Sequence, residues 1–190
     1  GIVTYPELLR KDLPVDSYLE GPLKLIEEAG KRAAAVVSDL LTLARNAASV
    51  KEACDINVLV RDLINSPEWN NIVAQHPYVK VETNLNATYP MVYCSKIHIR
   101  KCLMNLLLNG IEATSPNGTV VISTDNMLRN GSNAEKDSFG AEYQELLITV
   151  RDDGQGISQE HINHIFEPFY TTKKMGRSGS GLGLSVVWNT

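Results

Sequence analysis

From Asp16 to Arg45, small or apolar residues recur at Leu19, Leu23, Ile26, Gly30, Ala33, Val37, Leu40 and Ala44, in steps of four and three. That is the seam spacing of a packed helix and predicts one long amphipathic helix. Residues 1–11 also read as helical, and Asp12-Leu13-Pro14-Val15-Asp16-Ser17 supplies a turn followed by an N-cap. The two segments are therefore expected to form an antiparallel hairpin. Its apolar seam needs a cover, which is either a second copy closing a four-helix bundle or the rest of the same chain.

Residues 46–54 are small and polar, as in a linker, and the pattern then changes to mixed helix and strand. A hairpin unit over 1–50 and a second unit over 51–190 are expected. In the second unit Asn57 is placed to cap a short helix reaching about Ser66. Residues 79–83 and 89–93 read as strands, and Ser95 caps a helix running to about Thr114. The β-branched runs 120–124 and 146–150 read as strands on either side of an Asn-, Gly- and Ser-rich loop, 126–141. Strands grouped with helices, without strict alternation, predict an α+β chain: a two-layer α/β sandwich preceded by the helical hairpin.

A chain of 190 residues that is 43% hydrophobic can bury a sizeable core. The formal charge of −4 gives no general attraction for nucleic acid or anionic membrane, so a basic site has to be local. Cys54, Cys94 and Cys102 form no C-x-x-C pair, which points to a reducing, cytoplasmic setting without disulfides or a zinc site. No run approaches the roughly 18 apolar residues of a membrane span. The chain starts without Met and stops after Trp188-Asn189-Thr190, and it reads as a piece of something longer.

The candidate chemistry is concentrated in residues 101–112 and 150–187. Lys101, Asn105, Asn109 and Glu112 share one face of the predicted helix, either as solvated surface or as a site whose oxygens suit Mg²⁺. Asp152 follows a strand, with Gly154 and Gly156 just beyond; this is either an ordinary turn or a place where backbone approaches a flat ligand and the carboxylate accepts from an exocyclic amine. Gly176, Gly179, Gly181 and Gly183 lead into a helix start at Leu184. With Lys173, Lys174 and Arg177 nearby, the segment is either a solvated loop or a lid over phosphates. It is not a Walker A loop, because Leu25 stands where the first glycine before Gly30-Lys31 would be. It is not a dinucleotide fingerprint either, because Gln159 and Leu184 replace the third glycines.

In this order the motifs resemble the catalytic ATP-binding domain of two-component sensor histidine kinases, within the GHKL superfamily and its Bergerat fold. Asn105-Leu-Leu-Leu-Asn109 is similar to the N box and Asp152-Asp-Gly-Gln-Gly156 to the first glycine box. Ile165-Phe-Glu-Pro-Phe-Tyr170 is similar to the F box, and Gly179-Ser-Gly-Leu-Gly183-Leu to the second glycine box. The resemblance spans about 51–190, and the preceding hairpin is similar to the family's dimerisation and phosphotransfer helices.

It implies ATP and Mg²⁺ as cofactors, with Asn109 as metal ligand, Asp152 as adenine reader and Lys173 at the phosphates. Asn105, Asn109 and Lys173 are the side chains it places at the transferring phosphoryl group. The remaining nucleotide contacts it implies come from Glu112, Gly154, Gly156, Ile157, Phe166, Phe169, Thr172, Lys174, Gly179, Ser180, Gly181, Leu182 and Gly183. The partners implied are a second copy through the hairpin and a response regulator receiver domain, with no nucleic acid and no direct membrane contact.

Hydrolysing members of the superfamily resemble one another in placing Glu at the first N-box position, where this chain has Asn105, so phosphoryl transfer to histidine is expected over hydrolysis. The alternatives are a nucleotide-dependent protein-binding module and a GHKL hydrolase. One departure is plain: His76, His98, His161 and His164 are the only histidines, and none lies in the hairpin. The acceptor is expected ahead of Gly1, and this stretch alone is not expected to phosphorylate itself. The family's final strands are expected beyond Thr190, which leaves a sheet edge open. His161 and His164, three apart, lack the further ligands of a metal site. Gly110 stands where the family usually has Ala, at a helix-propensity cost of about 1 kcal/mol.

Overall fold

The computed structural model describes residues 1–14, 17–44, 50–128, 144–173 and 180–190. Helices α1 (Thr4–Lys11) and α2 (Glu20–Ala44) form the expected hairpin. Gly30 of α2 lies against Ile2 and Val3, whereas Arg10 reaches Glu20 and Glu27, so the helices run in opposite directions. A Cβ on Gly30 would stand 2.9 Å from the Ile2 methyl, so the bare glycine lets the chain ahead of α1 sit close. Among the described residues Glu27 is the buried charge of the pair. It accepts from Arg10 at 3.1 Å and from Lys31 one turn on, which offsets its desolvation. The seam itself stays largely open: Leu19, Ile26, Val37 and Leu40 are 39–55% exposed.

The linker region hides a strand. β1 (Glu52–Asp55) pairs antiparallel with β3 (Met91–Cys94), and Asp55 rather than Asn57 caps helix α3 (Ile56–Ile64), accepting from the Val58 amide at 3.0 Å. Asn57 is turned inward. Its amide donates to the Ala87 carbonyl at 2.9 Å and accepts from the Thr124 hydroxyl at 2.6 Å, so both ends of a buried polar group are paired. Helix α4 (Pro67–Gln75), which the hydrophobic pattern did not announce, starts at the Ser66 cap and buries Trp69.

The main sheet runs β2-β4-β5. β2 (Lys80–Leu85) is parallel to β4 (Thr119–Leu128), and β4 is antiparallel to β5 (Gln144–Asp152). The last two are longer than their β-branched cores. Asn126, expected in a loop, lies in β4, and its side-chain amide bridges the Tyr89 N–H and carbonyl at 2.9 and 3.1 Å. Val120, Ile122 and Thr124 alternate inward from β4. They face Ile56, Leu59, Val60 and Leu63 of α3 and Leu103, Leu107 and Ile111 of α5 (Lys96–Ala113) in one core. Each such side chain contributes about 1.5–3 kcal/mol of burial, and the four-residue steps along α5 leave its opposite face free for polar work. The short helices α6 (Gln159–Ile162) and α7 (Gly183–Trp188) complete the two-layer α+β sandwich. Gly110 is explained by its surroundings: a Cβ there would stand 3.1 Å from a Val120 methyl, so α5 lies close on β4.

Candidate nucleotide site

The free face of α5 carries the polar stripe. Asn105 sits one turn before Asn109, and Glu112 three residues further, but the three are not equivalent. The Asn105 amide donates to the Gly183 carbonyl at 3.1 Å, which ties the N box to the second glycine box. Asn109 and Glu112 instead face the lid. The Lys173 ammonium lies 3.5 Å from the Asn109 carbonyl oxygen and pairs with a Glu112 carboxylate oxygen. Lys101, at the near end of the stripe, turns away to Ser38 of α2 at 3.3 Å. Asn105, expected to work at the phosphoryl group, thus has its donor engaged in holding backbone.

Asp152 ends β5 against the sheet-facing side of α5, its Cβ 3.6 Å from the position a Gly110 Cβ would take. One carboxylate oxygen accepts from the Gly154 amide at 3.0 Å, an Asx turn that orients the exposed side chain. The neighbouring Asp153 holds the Thr119 amide with both oxygens at 2.9 Å. Gly154 packs on the end of α5, where a Cβ would stand 2.4 Å from the Ala113 carbonyl oxygen; that carbonyl, an orphan at the helix end, accepts from Gln155 at 3.3 Å. Gly156 has φ +70° and open space around it, and Ile157 beyond it is exposed.

The F box and the second glycine box meet at the neck of the lid. Phe169, at φ +68°, donates its N–H to the Gly181 carbonyl at 2.9 Å; Gly181, at φ +70°, packs so closely that a Cβ would stand 2.4 Å from the Phe169 carbonyl carbon. Phe166 stacks on Trp188 with ring centroids 4.8 Å apart. Leu182 is fully buried and exposes neither side chain nor backbone, and the Ser180 hydroxyl accepts from the Leu182 amide at 3.3 Å. Thr172 is exposed on the lid segment next to Lys173. Lys174 and Gly179, together with Gly176 and Arg177, lie outside the described residues. Helix α7 has six residues, too short for a full dipole, so charge at the phosphates has to come mainly from side chains.

His161 and His164 are each engaged: His161 Nδ1 with the Tyr170 hydroxyl at 2.6 Å, His164 Nδ1 with Glu167 at 2.7 Å. Among the described residues there is no group of three or more His, Cys, Asp or Glu side chains able to hold a metal. What α5 offers is an amide oxygen and a carboxylate around a cation, the Lys173 ammonium. This hard-oxygen, cation-attracting pair fits Mg²⁺, which takes few protein ligands beside substrate phosphates. Trp188, Tyr170 and Asp153 escaped sequence reasoning because their roles depend on partners distant in the chain.

The family model for histidine kinase-, DNA gyrase B- and HSP90-like ATPases matches residues 94–189, just over half of the sequence and the whole of this site. The chain belongs to that family. Among its relatives, sporulation kinase D of Bacillus subtilis (strain 168) is 31% identical over 166 residues, covering 85% of this chain and 28% of that protein. Sensor histidine kinase ZraS of Salmonella typhi is 30% identical over 154 residues, covering 81% and 29%. The chain thus spans less than a third of the length of these relatives.

Solved structures agree on the fold. The nucleotide-free catalytic domain of histidine kinase ThkA superposes with a TM-score of 0.55 at 26% identity, covering 72% of this chain and 76% of that one. Full-length ShkA in complex with AMPPNP superposes with a TM-score of 0.70 at 21% identity, covering 100% of this chain and 36% of that one. In a family so defined, the first N-box position is the informative difference: Asn105 offers no carboxylate, and its amide is occupied by Gly183.

Proposed function

We propose that this chain is the ATP-binding core of a sensor histidine kinase, with residues 1–50 as a dimerisation and phosphotransfer hairpin and residues 51–190 as the catalytic domain. The observation that carries the reading is the meeting of Asn109 and Glu112 with Lys173 on α5, the helix whose sheet-facing side Asp152 approaches at Gly110, with both glycine boxes bonded to α5 or packed on it. ShkA was solved with AMPPNP, and ThkA, which superposes with a TM-score of 0.61 at 20% identity over 90% of this chain, was solved in complex with the response regulator protein TrrA.

In this mechanism Asp152 accepts from the adenine amine, oriented by its bond to Gly154. Asn109 and Glu112 would hold Mg²⁺, which would supply neutralisation of phosphate charge. Lys173 leaves Glu112 for the phosphates, and the Phe169–Gly181 bond holds together the two ends from which the lid departs. Asn105 cannot take a proton from water, so nothing at that position favours hydrolysis. Positioning and charge stabilisation then do most of the work on a phosphoryl group aimed at an incoming imidazole.

The acceptor histidine lies outside residues 1–190 in this reading, and ADP is the product. A dimer through the open hairpin seam brings the acceptor of one chain to a catalytic domain, and a receiver domain then takes the phosphoryl group. Among the described residues no helix is long and apolar enough to cross a membrane. Mixing the chain with Mg-ATP and a longer polypeptide that carries a histidine on the helix ahead of α1 should give acid-labile phosphoimidazole on that polypeptide. Steady release of inorganic phosphate without labelled histidine would replace the kinase reading with a hydrolase.

A further inference from the structure

We infer that His161 and Tyr170 are a positioning pair that aims the lid cation, Lys173, at the phosphates of the bound nucleotide; the inference rests on the ATP reading above. Tyr170 is the first residue past the lid neck. The backbone bond from Phe169 to Gly181 fixes where the chain leaves the neck, but not the direction in which it continues. Direction is set one residue later. The Tyr170 hydroxyl meets His161 Nδ1 at 2.6 Å, and the Tyr170 ring lies tilted against the rings of His164 and His161, with centroids 5.4 and 6.0 Å away.

Both histidines belong to α6 and the turn after it, on the chain between β5 and the neck, so the pair ties the segment that leaves the neck back to the segment that enters it. Lys173 follows three residues later, within about 11 Å of Tyr170 even at full extension. Its ammonium sits at Asn109 and Glu112, and the Thr171 hydroxyl accepts its amide at 3.2 Å, so the whole 170–173 segment runs tethered towards α5. A tether at one end and a charge at the other make the departure angle at Tyr170 decide how often the ammonium stands where phosphates bind. Removing the tether frees the segment and costs the ligand the entropy of ordering it, but only where the ligand carries phosphates for Lys173 to meet.

The test is chemical-shift titration of the 190-residue protein with adenosine and with Mg-ATP. Tyr170→Phe deletes one oxygen and keeps the ring, and should weaken Mg-ATP roughly three- to tenfold, the worth of one hydrogen bond, while adenosine affinity stays unchanged. His161→Ala should do the same, the double variant should be no worse than either single one, and His161→Asn, which keeps a polar atom near Nδ1, should restore binding. Equal losses for adenosine and Mg-ATP, additive losses in the double variant, or unimpaired Mg-ATP binding by Tyr170→Phe would each overturn the pair while leaving the ATP site standing. Failure of the unaltered protein to bind either ligand would instead overturn the ATP reading, and the pair with it.

Discussion

The side-chain amide of Asn105 donates to the backbone carbonyl of Gly183 at 3.1 Å, joining the N-box helix to the second glycine box across 78 residues. Asn105→Asp keeps the shape, loses the donor and sets a carboxylate against a carbonyl. The variant should lose about 1–3 kcal/mol of stability, or several degrees of melting temperature at this size. Thermal unfolding without nucleotide checks it; an unchanged melting temperature would mean that the bond does not hold the glycine box.

Two glycines of the first glycine box should respond for different reasons. Gly154→Ala drives a methyl to 2.4 Å from the Ala113 carbonyl oxygen and must displace backbone. Gly156→Ala meets open space and pays only for its φ of +70°, about 1–2 kcal/mol. Urea unfolding should rank Gly154→Ala as the more damaging, and Mg-ADP binding should survive only in Gly156→Ala.

The hairpin, the α5 stripe and the glycine boxes were legible because each is a local signal: a seam at steps of three and four, a polar face, bare backbone next to cations. What was not legible depended on partners elsewhere. Asn57 looks like a cap, yet it is buried because Ala87 and Thr124 satisfy it, and Asp55 caps α3 in its place. β1 hides in a polar linker because its pairing strand, β3, lies some forty residues on. α4 had a readable start in Ser66-Pro67-Glu68, a cap followed by proline and an acid, a signal that apolar periodicity does not carry. Gly110 reads as a propensity defect until Val120 is seen 3.1 Å from its missing methyl. Asn105 was assigned to the phosphoryl group by its place in the motif, and only the structure shows Gly183 as its partner.

The hairpin should be acid-sensitive through Glu27. Its hydrogen bond to Lys31 holds the carboxyl below its ordinary value of 4.5 against the opposing effect of burial, with Arg10 adding to the shift. A lowered folded-state pKa means stability that is fully present above about pH 4.5 and is lost as pH falls through the lowered value. Glu27→Gln should remove that part of the acid dependence, so that its loss of melting temperature is larger at pH 7 than at pH 3. Parallel melting curves at the two pH values test this, and an equal loss at both would assign the effect to packing alone.

The open seam of α2 should be closed by a second copy. Sedimentation velocity at tens of micromolar is expected to give a dimer, and Val37→Glu, at a position 55% exposed in the single chain, should give a monomer with its catalytic half still folded. A monomeric unaltered protein would remove the four-helix bundle from the account.

The central claim is an adenine nucleotide site read by Asp152, and the most direct test is the melting temperature with and without saturating Mg-ADP, for the unaltered protein and for Asp152→Asn. Ligand at a hundred times its dissociation constant adds about 2.7 kcal/mol, which for a chain of this size raises the midpoint by roughly 5–10 °C. That shift is expected in the unaltered protein and should be lost in Asp152→Asn. No shift in either, or the same shift in both, would contradict it.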